Sequence, residues 1–272
     1  MVAPTEPTPA EAAAVLADLA QRVALSTLVR PNPLATPWTV APSAETVVVP
    51  RLAHVLDLHG GFDVTWTTRF TNDTRYGVRK AERSGVELQR DTTGRMLPIF
   101  YELYERSLDR WAQKQREPVW LTRLRGRRRD PRRKFELIAK TLGSACRIWV
   151  ATVEGRPAAA SLVIQGGNAW AARGVMDREL AGPTRANDLL ETAAIREACE
   201  ADCRYYHMGE TGASRSLAHY KTRFGAQAYP YVEFRFGFVR LARADTQLRT
   251  IVKRMIGFHE PAETAEREAD RS

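Results

Sequence analysis

The sequence predicts an α/β fold of the α+β type, in which a mixed, mostly antiparallel sheet is flanked by helices. Three apolar runs between Arg147 and Met176, "RIWVATV", "AAASLVIQ" and "AWAARGVM", are separated by an EG and a GN turn, which is typical of an antiparallel meander. An amphipathic helix, "ANDLLETAAIREACEAD", and a strand, "RYYHM", follow. The sequence therefore predicts one helix between two strands of the sheet.

The elements before the meander alternate between helix and strand patterns. Apolar spacing predicts a helix over Glu11–Val23, and prolines make "RPNPLATPW" an extended connector. The runs "TVVVPRLAHVLDL", "DVTWTTRF" and "VELQR" predict strands, and a helix that Asn72 or Asp73 caps ends at Ser84-Gly85. Six apolar residues at helical spacing predict another helix with one buried face: Met96, Phe100, Leu103, Tyr104, Leu108 and Trp111.

After the last meander strand and its helix, the chain predicts a loop of small residues, "GETGAS", then a short helix, "SLAHYKTRF", and an alternating strand, "AYPYVEFRFGF". We predict three regions: residues 1–60 as an N-terminal tail and partial subdomain, 61–240 as the main domain, and 241–272 as a C-terminal helix with an acidic tail.

Composition limits the classes of protein that this chain can belong to. Its 272 residues are 44% hydrophobic, which is enough for a sizeable core. The N-terminus lacks the pattern of a signal peptide, and no apolar run reaches the length of a membrane span. Three cysteines form no disulfide framework, and their spacing predicts no metal site. We therefore expect a cytoplasmic protein without a metal.

Positive charge is concentrated in one part of the chain. The net charge is +9, but 18 Lys and Arg residues face 8 Asp and Glu residues between Arg75 and Lys134. Such an excess is expected either for an anionic partner or for a solvated basic face. The densest part, "RLRGRRRDPRRK", lacks apolar periodicity, so we predict a loop between helices. This loop either binds RNA phosphates or is a disordered basic segment. Its basic residues are Arg123, Arg125, Arg127, Arg128, Arg129, Arg132, Arg133 and Lys134.

Three motifs in order resemble one family. "TRYGVRKAERSGVEL", "YYHMGETGASRSLAHYKTRFGA" and "RPNPL" are similar to elements of the FemAB-like (Fem aminoacyltransferase) branch of the GNAT acyltransferase superfamily. The resemblance implies a GNAT-like fold and transfer of an acyl group to an amine, without a cofactor. In the Fem branch the donor is an aminoacyl-tRNA, and the acceptor is a peptidoglycan precursor or, in small antibiotic-pathway members, a peptide. Members usually carry two GNAT-like halves, and this chain matches only part of the first.

The segment "DRELAGPTRANDLL" helps to choose between donors. GNAT proteins that use acyl-CoA carry a glycine-rich loop here, whose N–H groups hold pyrophosphate at a helix N-terminus. This segment has one glycine, and a proline without an N–H follows it. Together with the basic excess, this favours tRNA. An acyl-CoA-dependent N-acyltransferase and a non-catalytic RNA-binding module that kept the fold remain alternatives.

The resemblance implies that Lys221 stabilises the oxyanion formed when the amine attacks the ester. Tyr220 is the aromatic residue of the same motif, and a core tyrosine is an equal alternative. His207 and Glu210 flank Gly209 at the end of a strand, and either can take the proton of the attacking ammonium group. A buried structural histidine and a loop-capping glutamate are the structural alternatives.

Four more residues are predicted to bind substrate. Arg75 and Arg79 are one helical turn apart and Lys80 lies beside them, which suits a phosphate group, although a solvated helix face has the same pattern. Arg79 and Lys80 are also motif positions. Asn187 opens a helix, where it either contacts substrate or caps the helix. We expect the partners to be the tRNA acceptor stem and a peptide or nucleotide-linked peptide.

Overall fold

The computed structural model describes residues 7–21, 27–35, 38, 46–212 and 214–236. The predicted C-terminal helix and acidic tail lie outside these residues. In chain order the described elements are α1 (Pro9–Gln21), β1 (Thr27–Val29), β2 (Val47–Asp57), α2 (Gly61–Val64), α3 (Asn72–Arg83), β3 (Glu87–Asp91), α4 (Leu97–Gln115), α5 (Val119–Arg129), α6 (Arg132–Leu142), β4 (Cys146–Val153), β5 (Arg156–Gln165), β6 (Ala169–Met176), α7 (Arg178–Thr184), α8 (Ala186–Glu200), β7 (Tyr205–Glu210), α9 (Arg215–Arg223) and β8 (Gln227–Phe236).

The described residues fall into two compact units, divided within β2 between Ala53 and His54. The larger unit holds residues 54–209 and 214–227, and the smaller unit holds the described residues up to 53 together with 210–212 and 228–236. The predicted boundary at residue 60 stays a prediction. Each unit is described separately below.

The sheet of the larger unit runs in the order β7-β6-β5-β4-β3, and the end of β2 lies beside β7. The pairs β3–β4, β4–β5 and β5–β6 are antiparallel, and β6–β7 is parallel. Helices α7 and α8 connect the two parallel strands. The predicted α/β fold with a mostly antiparallel sheet flanked by helices is therefore confirmed, as is the meander.

Helices bury apolar faces against this sheet on several sides. Leu190, Ala194 and Ala198 of α8 are buried, as predicted from its amphipathic pattern. Phe100 and Leu103 of α4 pack in another cluster with strand residues of β4 and β5. Burial of each leucine or phenylalanine side chain contributes about 1.5–3 kcal/mol, so these two helices anchor the unit.

The run "DVTWTTRF" was predicted as a strand, and this prediction is wrong. It forms the end of α2 and a wider helical turn, Thr65–Arg69. Three threonine hydroxyls donate to carbonyls one turn earlier: Thr65 Oγ1 to Gly61 O (2.9 Å), Thr67 Oγ1 to Asp63 O (2.7 Å) and Thr68 Oγ1 to Val64 O (2.6 Å). The apolar alternation resembled a strand, but these local bonds fit a helical backbone.

Helix α3 has the predicted bounds but a different cap. Thr71, one residue before the predicted Asn72 or Asp73, accepts a hydrogen bond from Thr74 N–H at 3.3 Å. The helix ends at Arg83 with Ser84 as its C-cap, and Gly85 follows with a φ of 67°. The start and the glycine stop that the sequence predicts are therefore confirmed to within one residue.

The basic run Arg123–Lys134 was predicted as a loop, and this prediction is also wrong. Helix α5 carries the run to Arg129, and α6 continues it from Arg132 after Asp130 and Pro131. The lack of apolar periodicity misled the prediction, because α5 packs on α4 through small residues. A Cβ at Gly126 would lie 2.6 Å from Leu108 Cδ1, so a larger residue would require Leu108 to move.

The smaller unit combines α1 with β1, β8 and the first part of β2. Strands β1 and β8 are antiparallel, with Leu28 opposite Arg235, and β8 lies beside β2. Leu16 of α1 packs with Phe234 and Phe236 of β8 in a small buried cluster. The predicted strands in "TVVVPRLAHVLDL" and "AYPYVEFRFGF" are confirmed over the described residues.

Candidate active site

The parallel strands β6 and β7 pair over only two residue pairs, Ala169 with Tyr206 and Trp170 with His207. Strand β6 then continues to Met176, so its edge beyond Trp170 is not used in a regular ladder with β7. Gly209 in β7 has a φ of 79°, a left-handed conformation that favours glycine. The glycine at this position is therefore required by the backbone where the ladder has ended.

Lys221 is a buried cation at this point of the larger unit. It is 4% exposed, and its Nζ donates a hydrogen bond to the carbonyl of Gly209 at 2.7 Å. Its helix, α9, begins where Ser214 Oγ accepts from Leu217 N–H at 3.3 Å. After the helix, a Cβ at Gly225 would lie 2.7 Å from Arg69 O, so glycine allows the chain to turn tightly. The motif "HYKTRFG" thus holds an ammonium group beside the end of the β6–β7 ladder.

Glu191 on α8 is a buried carboxyl that the sequence reasoning missed. Burial raises the pKa of Glu191 to about 7, although the neighbouring Tyr206 hydroxyl and the charge of Lys221 lower it. Tyr206 is fully buried, and its Oη has no hydrogen-bond partner of normal geometry among the described residues. Glu191 can therefore gain or lose a proton near neutral pH, within the electrostatic field of Lys221.

The signal for Glu191 was present in the sequence. It lies between Leu190 and Thr192 on the face of α8 that also buries Ala194 and Ile195. An acidic residue on a buried helix face is rare unless it is paired, so it marks a site. His54 is a second ionisable group near Lys221: burial, and then the charge of Lys221, lower the pKa of this histidine.

Tyr220 and Asn187 are joined to each other. Asn187 Nδ2 donates to Tyr220 Oη at 2.6 Å, and the Tyr220 ring packs on Phe224 with a centroid distance of 5.2 Å. Asn187 is the second residue of α8 and no side chain caps this helix, so the capping alternative for Asn187 is wrong. Their predicted roles in substrate binding stay predictions.

Four charged residues tie α3, α8 and α9 together. Arg185 contacts Asp73 and Asp188, and Arg223 contacts the same two carboxylates. Gly77 in α3 leaves room for this network, because a Cβ there would collide with Asp188 Oδ2 and lie 2.8 Å from Arg185 Nη2. Arg223 is two residues after Lys221, so the network fixes the helix that carries the buried lysine.

The predicted proton acceptors lie in different units. His207, in the larger unit, accepts a hydrogen bond at Nδ1 from Gly209 N–H (2.9 Å), so a neutral His207 carries its proton on Nε2. Glu210 belongs to the smaller unit, where it accepts from Tyr231 Oη at 2.7 Å and pairs with Arg30 and Arg51. The structure thus gives each of them a partner of its own, and their catalytic roles stay predictions.

The predicted phosphate-binding residues of α3 have different surroundings. Arg75 donates to the carbonyls of Trp66 (2.9 Å), Thr67 (3.2 Å) and Phe70 (2.6 Å), so its guanidinium closes the turn before the helix. Arg79 is exposed and Lys80 is partly exposed, and neither side chain has a hydrogen-bond or ion-pair partner in the described part of the chain. Arg79 and Lys80 are therefore the two that remain free for a phosphate.

Most of the basic residues of α5 and α6 are paired with carboxylates. The pairs are Arg123 with Asp109, Arg125 with Glu117, Arg127 with Glu105, Arg129 and Lys134 with Asp130, and Arg132 with Glu136. Arg128 and Arg133 are exposed and have no ion-pair partner within the described ranges. These two arginines are the members of the run with an unshared charge.

Around Lys221, the described residues do not meet the requirements of a metal site, a membrane-spanning helix or a deep cavity. No group of three His, Cys, Asp or Glu residues that could hold a metal occurs in the part of the chain that the structure describes. Across the same residues, no helix is long and apolar enough to cross a membrane. Two shallow cavities of about 420 and 270 Å³ share Arg196 and Glu200 of α8, and neither is lined by Lys221.

A family model described as an acetyltransferase (GNAT) domain matches residues 68–222. This match covers more than half of the chain and includes α3, strands β3 to β7, α8 and Lys221. The chain belongs to the GNAT acetyltransferase family. The predicted resemblance to the GNAT superfamily is thereby confirmed, and the chain carries a GNAT-type acyltransferase domain.

Solved structures agree with the GNAT fold. One similar structure is FemX, with a TM-score of 0.52 and 11% identity, covering 68% of this chain and 61% of FemX. Another is a conserved protein of unknown function from Bacteroides thetaiotaomicron, with a TM-score of 0.56 and 10% identity, covering 82% of this chain and 74% of that protein. The chain thus spans less than two thirds of FemX. A search of curated protein sequences gives no significant match.

Proposed function

We propose that this GNAT protein transfers an aminoacyl group from an aminoacyl-tRNA to the amine of a peptide or nucleotide-linked peptide. Membership of the GNAT family supports acyl transfer as the reaction, and the Fem-like motifs support an aminoacyl-tRNA as the donor. The FemX likeness supports the fold that such an enzyme would use. Three structural features support the proposal: the first turn of α8, the buried Lys221 and the unpaired cations of the basic helices.

The surroundings of the first turn of α8 are the main reason to favour tRNA over acyl-CoA as the donor. In a CoA-binding GNAT protein this turn presents free N–H groups to pyrophosphate. Here Asp188, in the first turn, is 3% exposed and pairs with Arg185 and Arg223, and helix α7 replaces a glycine-rich loop. A pyrophosphate at this turn would meet a carboxylate, and the arginines that could offset that charge are already engaged. The turn is therefore a poor CoA site.

Lys221 can act on the developing charge of the reaction. The amine nitrogen of the acceptor attacks the ester carbonyl carbon, a C–N bond forms, and the carbonyl oxygen becomes an oxyanion. A buried ammonium group beside the end of the β6–β7 ladder can stabilise that oxyanion more than the neutral ester. The ester C–O bond then breaks, and the ribose hydroxyl leaves with a proton. One ester and one amine become one amide and one alcohol.

The amine must lose a proton during this reaction. His207 is the predicted acceptor within the larger unit, and it must release its hydrogen bond from Gly209 N–H to accept a proton at Nδ1. Glu191 titrates near neutral pH but is 7% exposed, so it can influence the charge of Lys221 more readily than it can contact an acceptor. We therefore assign the base role to His207 and a supporting electrostatic role to Glu191.

An acyl-CoA-dependent N-acyltransferase is the second candidate, and one observation favours it. The family model that matches the chain is described as an acetyltransferase domain. Members that follow this description use an acyl-CoA donor, as the resemblance to other GNAT relatives implies. The paired Asp188 counts against this candidate for the reason given above.

Direct titration of the protein with uncharged tRNA and with acetyl-CoA, each at two salt concentrations, separates these candidates. We expect tight, saturable tRNA binding whose log K falls by about 0.7–0.9 per phosphate contact against log salt. We expect weak acetyl-CoA binding. Tight acetyl-CoA binding together with no tRNA binding at low salt would show that the donor is acyl-CoA. Tight tRNA binding without consumption of charged tRNA would leave a non-catalytic RNA-binding module.

A further inference from the structure

Helix α5 has an exposed face that packing does not explain. Thr122 and Gly126 are buried against α4, one turn apart. Two residues along a helix correspond to about 200° of rotation, so Trp120, Leu124 and Arg128 lie on the opposite side. Trp120 is 67% exposed and Leu124 is 42% exposed. We refer to Trp120, Leu124 and Arg128 as the open face of α5.

Arg128 is the charged residue of the open face, and it differs from the other arginines of α5 in its ion pairing. Arg123, Arg125 and Arg127 on the same helix each pair with a carboxylate. Arg128 has no such partner among the described residues, and the same is true of Arg133 five residues later in α6. Residues 119–142 include nine basic and two acidic residues, and three acids outside this range pair with its arginines, so an excess of four positive charges remains and favours a polyanion.

We propose that the open face of α5 binds RNA, with Trp120 stacking on an unpaired base and Arg128 contacting a phosphate of the same strand. Trp120 and Arg128 are about 12 Å apart along the helix axis, so one strand of RNA can reach both. Exposed aromatic residues beside arginines are the usual elements of single-strand recognition. Under the proposed function, on which this inference rests, an unpaired stretch of the donor tRNA is the occupant.

An anionic membrane surface fits this face less well. Helix α5 has 11 residues, and its exposed apolar residues occupy only the N-terminal half. Helices that lie on membranes bury an apolar stripe along their length. In addition, Asp109 and Glu105, which pair with arginines of α5, are partly exposed and would face anionic headgroups. In contrast, binding of single-stranded RNA requires one aromatic side chain for stacking and nearby cations, and it does not require a continuous apolar stripe.

The test uses the full-length protein, total tRNA and vesicles of phosphatidylglycerol and phosphatidylcholine. We expect Trp120→Ala to weaken tRNA binding by about 5-fold to 100-fold, the loss of one base stack, with the salt slope unchanged. Trp120→Phe should keep most of the affinity and Trp120→Leu should lose it, because stacking needs an aromatic ring. Arg128→Ala should reduce the salt slope by about one unit. Arg156→Ala, an exposed arginine at the start of β5, is the matched control and should change neither value.

Several results would overturn this inference. If wild-type protein binds tRNA tightly and Trp120→Ala and Arg128→Ala bind equally well, the open face is not the contact and the proposed function stands. Equal binding by Trp120→Leu and Trp120→Phe would exclude stacking even if the alanine variant failed to fold. Vesicle binding that needs Trp120, without tRNA binding, would assign the face to a membrane. Conversely, tRNA binding that needs Trp120, without consumption of charged tRNA, supports this inference and contradicts the proposed function.

Discussion

Glu191 in the larger unit and Glu233 in the smaller unit are both buried carboxyls, but only Glu233 is surrounded by arginines. Arg30 (2.5 Å), Arg51 (3.0 Å) and Arg235 (2.7 Å) contact the Glu233 carboxylate, which is fully buried. Burial by itself raises the pKa of Glu233, but hydrogen bonds from these arginines lower it to about 2. Glu191 has no arginine partner within the described residues, and burial raises its pKa to about 7.

The difference separates two uses of a buried acid. With three arginines, a carboxylate stays charged at all physiological pH values and stabilises the fold. Beside a tyrosine hydroxyl and a lysine only, a carboxyl remains able to titrate, which is a property of functional sites rather than of structural ion pairs. The smaller unit therefore uses its acid for stability, and the larger unit keeps its acid near the candidate catalytic lysine.

The largest expected effect is on Glu233. Glu233→Gln should lower the free energy of unfolding by about 3–4 kcal/mol at pH 7, because a carboxyl pKa of about 2 against an unfolded value of 4.5 means that partly exposed arginines stabilise the buried carboxylate by roughly that amount. Urea unfolding measures this value. The stability that wild type owes to Glu233 is present above pH 4.5 and is lost as the pH falls towards 2, and the variant should lack this dependence. Glu136→Gln, an exposed glutamate on α6, is the control, and an equal loss in both variants would contradict the comparison.

Replacement of Lys221 should have the next largest effect, on the rate of transfer. Lys221→Met keeps the apolar stem of the side chain and should lower the single-turnover rate of transfer by about 10²–10³, or about 2.7–4 kcal/mol, the value of one oxyanion donor. Lys140→Met, an exposed lysine on α6, should be unchanged. A folded Lys221→Met protein with the wild-type rate would remove Lys221 from the chemistry.

Glu191→Gln should increase stability, with the opposite dependence on pH from Glu233. The folded-state pKa of Glu191 is above the unfolded value of 4.5, so wild type loses stability as the pH rises from about 4.5 to 7. The variant should therefore be more stable than wild type by roughly 2–3 kcal/mol at pH 8 and nearly equal to it at about pH 4. Denaturant unfolding at both pH values measures this, and a destabilised variant at pH 8 would mean that the Glu191 charge is favourable.

The smallest effect concerns the space that Gly77 leaves for the four-residue network. Gly77→Ala should destabilise the protein by about 1–3 kcal/mol because its Cβ collides with Asp188, even though alanine is the better helix former. Gly174→Ala, where a Cβ meets no atom within 4 Å, is the control for thermal unfolding. Stabilisation by Gly77→Ala would show that Asp188 and Arg185 can move away without loss.

The sequence predicted the elements whose signal is local. The meander followed from its turns, and α8 followed from its apolar spacing. The strand prediction for "DVTWTTRF" failed because threonine hydroxyls bond to carbonyls one turn back, which alternation does not reveal. The loop prediction for Arg123–Lys134 failed because contacts distant in sequence hold α5: its arginines pair with acids of α4, and Gly126 packs on Leu108.

The sequence likewise predicted only those features of the candidate site that have a local signal. A motif identified Lys221, but its burial and its bond to Gly209 depend on residues 12 positions away. Glu191 was missed because a helical pattern records apolar residues and does not weigh an acid on the same face. Arg75 matched a phosphate-binding pattern, yet its guanidinium binds carbonyls of the preceding turn. Side-chain partners from other elements decide each of these cases.

The most direct test of aminoacyl transfer is a competition between donors. The protein is incubated with charged total tRNA, acetyl-CoA and a panel of peptides with free amines, and the products are identified by mass spectrometry. We predict peptides extended by an amino acid, formed from charged tRNA in wild type and strongly reduced in Lys221→Met. Acetylated peptides, with the charged tRNA left unconsumed, would contradict the proposal.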